Sequence, residues 1–271
     1  MSVDDIIRPD LAPLAPYAPG LRASQVRERS GRQRILKLSS NEHPAGPFPL
    51  AIAAMREVLP RLNRYSDGAC TALRGKLSAR FGVPGEAIVV GNGSNELLRL
   101  IAQVVLRPGD EVVFGWPSFV VYPLAAAMFG AVPVKVPLTS GDVLDLDAIL
   151  AAITPATRIA FLCNPNNPTG TIYGRDAFER FLASVPSHVL VVLDEAYFEF
   201  VTAEEYPDGL TYFDGERPVV VARTFSKIYS LAGARVGYAL CPPALARAVD
   251  KVREPFNVNT VAQVAAYYSL D

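Results

Sequence analysis

With 271 residues, half of them apolar, the chain has material for one large domain or two small ones. A formal net charge of -1 leaves no electrostatic footprint for nucleic acid or an anionic membrane surface. Three dispersed cysteines (Cys70, Cys163 and Cys241) imply no disulfide framework and fit a reducing compartment, and the two histidines, His43 and His188, belong to no ligand-spaced cluster.

The acidic start, MSVDDIIRPD, lacks the apolar stretch of a signal peptide, so the chain reads as soluble and cytoplasmic. Residues 1–35 read as a Pro- and Arg-rich arm, and Ile35–Ser39 opens the ordered part. Helical patterns follow at about Leu50–Leu59 and Ala69–Phe81. Strands are then expected at Ala87–Gly91, Glu111–Phe114, Val132–Pro137, Arg158–Cys163, Val189–Asp194, Val219–Arg223 and Val236–Cys241. Most are apolar and β-branched throughout, as in strands covered on both faces. Helices are expected at Glu96–Leu106, Leu146–Ile153, Arg175–Ala183 and Pro243–Val252. The uncharged stretch Val112–Val134 is long enough to span a bilayer, but Pro117, Pro123 and Pro133 break it into strand, loop, helix and strand. This alternation predicts an α/β fold: a doubly wound, mostly parallel sheet with helices on both faces.

Ligands of such sheets bind beyond the carboxyl ends of the strands. Four of those ends carry distinctive residues. Gly91-Asn92-Gly93-Ser94-Asn95 leads into a helix and suits an anion, although Glu96 breaks the dinucleotide pattern and no P-loop is present. Alone it reads equally as a tight turn with a cap. Asn164–Gly170 is rich in turn formers, and a plain loop would look much the same. Asp194 and Glu195 end an apolar strand, where a helix-capping Asp is the simple alternative. Lys227 lies just past Val219–Arg223, beside Ser226 and followed by Arg235. A desolvated lysine amine can form an imine with a carbonyl, and a hydroxyl with a planar guanidinium suits a phosphate. Together these features suggest pyridoxal 5'-phosphate. Asp194 would pair with its pyridine nitrogen, Tyr197 and Asn167 would reach its ring oxygen, and Phe119 would stack on the ring, where a core aromatic is the simple alternative.

With these segments the chain resembles the fold-type I, pyridoxal-phosphate-dependent aminotransferases, and within them most the histidinol-phosphate branch. The matching segments are Pro16–Gly20, Leu38–Pro44, Arg64-Tyr65, Gly91–Glu96, Asn164–Gly170, Asp194–Tyr197, Thr224–Tyr238 and Pro255–Asn259. The resemblance implies Lys227 as the imine-forming and proton-carrying lysine, with Asp194 and Tyr197 as its catalytic partners. It implies Ser94, Asn95, Ser226 and Arg235 on the cofactor phosphate, with Thr224 assisting. It places Tyr65 on the phosphate of a neighbouring subunit's cofactor, hence a homodimer, and Tyr17, Asn41 and Asn167 on substrate. Phe119 stands where a Tyr is usual, Asn95 where an Asp is frequent, and His43 where an Asn is frequent.

The implied reaction moves an amino group from a small-molecule donor, L-histidinol phosphate, to 2-oxoglutarate in histidine biosynthesis. An aromatic amino acid as donor, decarboxylation of a phosphorylated threonine, or a non-catalytic cofactor-binding module are the alternatives. The expected organisation is an arm (1–35), a cofactor-binding large domain (36–255) and the start of a connection (256–271). The family continues for roughly another small domain, which carries the arginine for the substrate anion. On that comparison the chain reads as C-terminally truncated, with the small domain largely absent and activity of the 271 residues alone in doubt.

Overall fold

The structure, a computed structural model, describes residues 2–8, 11, 14 and 20–271. Seven strands form one sheet: β1 (Ile88–Gly91), β2 (Glu111–Trp116), β3 (Val132–Pro137), β4 (Thr157–Cys163), β5 (Leu190–Asp194), β6 (Val219–Thr224) and β7 (Gly237–Leu240). Their spatial order is β1-β7-β6-β5-β4-β2-β3. β7 runs antiparallel to both β1 and β6, and the β6–β5–β4–β2–β3 pairings are parallel. The mostly parallel, doubly wound reading therefore stands.

Alternation along the central strands feeds two cores. Val191, Leu193, Val219 and Val221 join helices α2 (Pro49–Val58), α3 (Thr71–Phe81), α6 (Leu146–Ala151), α7 (Arg175–Ser184) and α9 (Thr260–Ser269) on one face. Val192, Val220 and Ala222 join α4 (Ser94–Val105), α5 (Val121–Met128) and α8 (Pro243–Val252) on the other. Each of these eight helices turns buried residues inward, such as Leu97, Leu98 and Ile101 of α4. Pro49 and Pro243 stand at the starts of α2 and α8, where a missing N–H costs nothing.

Three features go beyond the expected pattern. Within the arm, Ala23–Ser30 forms a helix, α1, with no buried residue. Ile35–Ser39, expected to open the ordered part, carries no helix or strand and is largely exposed, Leu36 at 72% and Leu38 at 86%. β3 is not covered on both faces: only Val136 is buried. It is the sheet edge, where Pro133 and Pro137 cost no interior ladder bonds. Val112–Val134 divides as expected into β2, a loop, α5 and β3. Among the described residues, no helix is long and apolar enough to cross a membrane, and no cluster of potential metal ligands occurs. Residues 256–271 stay on the body, with Val258, Ala262, Ala265 and Ala266 in the first core.

Candidate active site

A cavity of about 290 Å³ opens at the carboxyl ends of the parallel strands. Ten of the predicted residues line it: Ser94, Asn95, Phe119, Asn167, Asp194, Tyr197, Thr224, Ser226, Lys227 and Arg235. They come from four separate strand ends and from the segment after β2.

The anion seat is built from backbone outward. α4 starts at Ser94, two residues earlier than its periodicity suggests, so Ser94 and Asn95 form its first turn. Gly93 caps it at φ +80°, a conformation that side chains rarely adopt. Free N–H groups and the helix dipole concentrate positive potential there. Arg235 leans over this turn, donating from Nη2 to the Asn92 carbonyl and from Nη1 to the Ala232 carbonyl, both at 3.1 Å. From β7, Gly237 presses against the turn: a Cβ there would meet the Ser94 nitrogen at 2.6 Å and the Gly93 carbonyl carbon at 2.8 Å. Neither is a flexible side-chain end. Gly237 pairs with Thr224 across the ladder, and the Thr224 hydroxyl accepts from the Ser226 N–H at 3.1 Å. Helix start, two hydroxyls and a guanidinium thus form one rigid cradle. Gly237→Ala should cost about 1–3 kcal/mol of stability in denaturant unfolding, as overpacking does, because only backbone can yield.

Asp194 is 2% exposed and closes β5. The Tyr122 hydroxyl donates to its Oδ2 at 2.8 Å and the Ala196 N–H to its Oδ1 at 3.3 Å. Burial raises its pKa, opposed by those two hydrogen bonds and by Lys227. Tyr122, on α5, was not legible as a site residue. Its stripe position says only that it is buried, and no local signal pairs it with a carboxylate 72 positions away.

Lys227 is half-buried. Its Nζ donates to the carbonyls of Ser40 and Asn41 at 3.2 and 3.3 Å. Burial lowers its pKa, with Glu42 and Asp194 pulling upward and Arg235 pushing further down. A larger share of neutral, nucleophilic amine follows. Its Nζ stands 5.4 Å from the Tyr197 ring centre. Tyr197 accepts at its hydroxyl from Asn41 Nδ2 at 2.8 Å, leaving its own proton free to donate into the cavity. Burial holds the phenol above its ordinary pKa, so it stays protonated. Phe119 meets Tyr122 edge-on at 5.8 Å.

Three predicted residues lie elsewhere. Asn41 sits at the mouth, touching Tyr197 and Lys227 without lining the main cavity. Tyr65 is 84% exposed, away from the cavity of its own chain, and stacks on Phe256 at 4.6 Å. Tyr17 lies outside the described residues.

Glu195, the second carboxylate of the pair, faces the other side of the sheet and binds Arg223. Cys163 lines the cavity, but burial pushes its thiol up to about 12. The same cause raises Cys70 to about 11 and Cys241 to about 12. A disulfide reagent at pH 8 should therefore leave the three thiols of the native protein unreacted and modify all three after denaturation.

The class I and II aminotransferase model matches residues 33–271. The histidinol-phosphate aminotransferase of Moorella thermoacetica is 49% identical over 258 residues, covering 95% of this chain and 67% of that protein. The aromatic amino acid aminotransferase of Corynebacterium diphtheriae is 48% identical, over 98% of this chain and 75% of that protein. Among solved structures, histidinol-phosphate aminotransferase from Sinorhizobium meliloti in complex with pyridoxal-5'-phosphate superposes with a TM-score of 0.88 at 30% identity. It spans 97% of this chain, which in turn covers 70% of that one. A cavity that joins an amine, a buried carboxylate and an anion cradle, in a chain matched along nearly its whole length, thus has its family: the protein belongs to the class I and II aminotransferases.

Proposed function

We propose that the chain binds pyridoxal 5'-phosphate at Lys227 and transfers the amino group of L-histidinol phosphate to 2-oxoglutarate. The observation that carries this is the meeting in one cavity of Lys227, Asp194 and the Ser94–Ser226–Arg235 cradle. The residues fit the cofactor. Asp194 is a buried carboxylate with one hydroxyl and one backbone donor, which a protonated pyridine nitrogen would complement. The cradle offers N–H, hydroxyl and guanidinium donors on a frame with no room for a Cβ at Gly237.

When bound, the cofactor supplies an electron sink for charge developing at the donor's Cα. Asp194 keeps the ring nitrogen protonated. Asn167 and Tyr197 donate at the ring oxygen, and Phe119 flanks the ring. Ser94, Asn95, Thr224, Ser226 and Arg235 hold the phosphate. Once the donor's amine has displaced it from the cofactor, the free Lys227 Nζ would take the proton from the donor's Cα. Asn41, at the mouth, and Asn167 contact substrate, and Tyr17 of the arm is assigned to substrate with them.

Tyr65 serves the cavity of a second copy in a homodimer. A groove of about 640 Å³ beside the cavity, lined by Arg99, Leu124 and Met128 and sharing Asn95, Phe119 and Arg235, is where we seat it. In this reading residues 1–35 are an arm, 36–255 the cofactor-binding body and 256–271 a connecting segment. Three free cysteines support a reducing, cytoplasmic setting.

Single-turnover absorbance changes of the cofactor-loaded chain test the substrate. Histidinol phosphate is expected to react faster than phenylalanine or glutamate. A wide margin for phenylalanine would instead support an aromatic donor, the second reading, which the 48% identity to the Corynebacterium diphtheriae aminotransferase favours.

A further inference from the structure

A buried ion cluster lies across the sheet from the cavity. Strand alternation turns Asp194 and Thr224 toward the cavity and their neighbours, Glu195 and Arg223, to the opposite face. There Arg223 donates from Nε and Nη2 to Glu195 Oε2 at 2.9 and 2.8 Å, and from Nη2 to Asp208 Oδ1 at 2.6 Å. The Gly209 N–H donates to Glu195 Oε1 at 2.7 Å. The Tyr206 hydroxyl donates to the Asn164 carbonyl at 2.6 Å and stands 3.3 Å from Glu195 Oε1. The guanidinium lies 3.6 Å over the Phe198 ring. A Cβ at Gly209 would meet Glu195 Oε1 at 2.7 Å and Leu193 Cδ1 at 2.8 Å, so this loop is locked on the pair.

The cluster therefore touches the ends of β4, β5 and β6, through Asn164, Glu195 and Arg223. Those three ends deliver Asn167, Asp194 and Lys227 to the cavity. The β5–β6 ladder runs out at the bond from the Glu195 N–H to the Ala222 carbonyl, at 2.9 Å. The side-chain pair is the next link outward. The two side chains are 4% and 2% exposed. At such burial, desolvation offsets most of the mutual attraction, so the pair adds little net stability over apolar residues of the same size. What an apolar pair lacks is a fixed, directional geometry. Asp208 acts on both members of the pair, Glu199 faces Arg223 and Arg80 faces Glu199, and none of the three lines the cavity.

We infer that Glu195 and Arg223 are positioning residues: their ion pair fixes the spacing of the β5 and β6 ends and so sets Asp194 and Lys227 against the cofactor. This rests on the function proposed above. The test loads the wild-type chain, Glu195→Gln, the double variant Glu195→Leu/Arg223→Met and the reference Asp194→Asn with pyridoxal 5'-phosphate. It records the pH midpoint of the visible absorbance band and the thermal midpoint of each. The inference predicts that Glu195→Gln and the double variant move the pH midpoint by about one unit, in the direction that Asp194→Asn moves it. The thermal midpoint of the double variant is expected to stay within a few degrees of wild type. Unchanged pH midpoints would overturn the inference. So would failure to recover folded double-variant protein, because the pair would then be holding the fold rather than the site. A wild-type chain that develops no visible band would instead overturn the cofactor reading itself.

Discussion

Lys227→Ala is expected to lower amino transfer by about ten-thousandfold or more, with the fold intact. Proton transfer by a positioned base supplies roughly 10²–10⁴-fold, and covalent capture of the cofactor is lost in addition. The fold survives because Lys227 is half-buried and bonded only to the Ser40 and Asn41 carbonyls, outside both cores. The cradle is untouched, so the phosphate is still held, and the variant should retain cofactor non-covalently. Burial lowers the Lys227 pKa, so the reactive neutral amine is present at lower pH than for a solvent-exposed lysine. The rate of cofactor capture by wild type should accordingly rise with pH and level off below the ordinary lysine range. Stopped-flow absorbance at a series of pH values checks this.

Asp194→Asn is expected to move stability and activity in opposite directions. Asparagine keeps the shape and the contact with Tyr122 but removes the charge that, in the proposed complex, would hold a proton on the ring nitrogen. Transfer should fall on the order of a hundredfold or more, the scale seen when one preorganised electrostatic partner is removed. Stability without cofactor should behave otherwise. The folded-state pKa of Asp194 is raised by burial, so the folded chain binds this proton more tightly than the unfolded chain does. The stability it contributes is full below the unfolded carboxyl pKa and is lost as pH rises through the folded value. Asparagine never ionises and escapes that loss. The cofactor-free variant should therefore melt higher than wild type at neutral pH, and the difference should shrink as pH falls toward the ordinary carboxylate range. Thermal melts at several pH values, set beside steady-state rates, measure both effects.

Much of this site is legible in the sequence because strand ends are legible. A β-branched apolar run that stops at a carboxylate or before a hydroxyl–lysine pair marks where burial ends and chemistry begins, as at Asp194 and Ser226-Lys227. What the sequence hides is set by packing between distant elements. Tyr122 reads as one more buried aromatic of α5, yet it carries a hydrogen bond to Asp194. Gly237 reads as a small residue in a strand, and only the approach of the Ser94 nitrogen shows why a side chain is excluded. Ser94 and Asn95 read as loop because the apolar period starts after them, while Gly93 lets the helix begin earlier. Glu195 was readable in part: strict alternation past Asp194 already points it away from the cavity. Its partner Arg223, at the end of an apolar strand, is intelligible only once β5 and β6 are known to be neighbours.

Everything proposed for the cavity depends on Lys227 being the residue that takes the cofactor. Incubating the chain with pyridoxal 5'-phosphate, reducing it with borohydride and mapping the modified peptide tests this directly. One stable secondary amine is expected, on Lys227, with no labelled peptide from Lys227→Ala. A label on Lys37, Lys76 or any other lysine, with Lys227 unmodified, would contradict it.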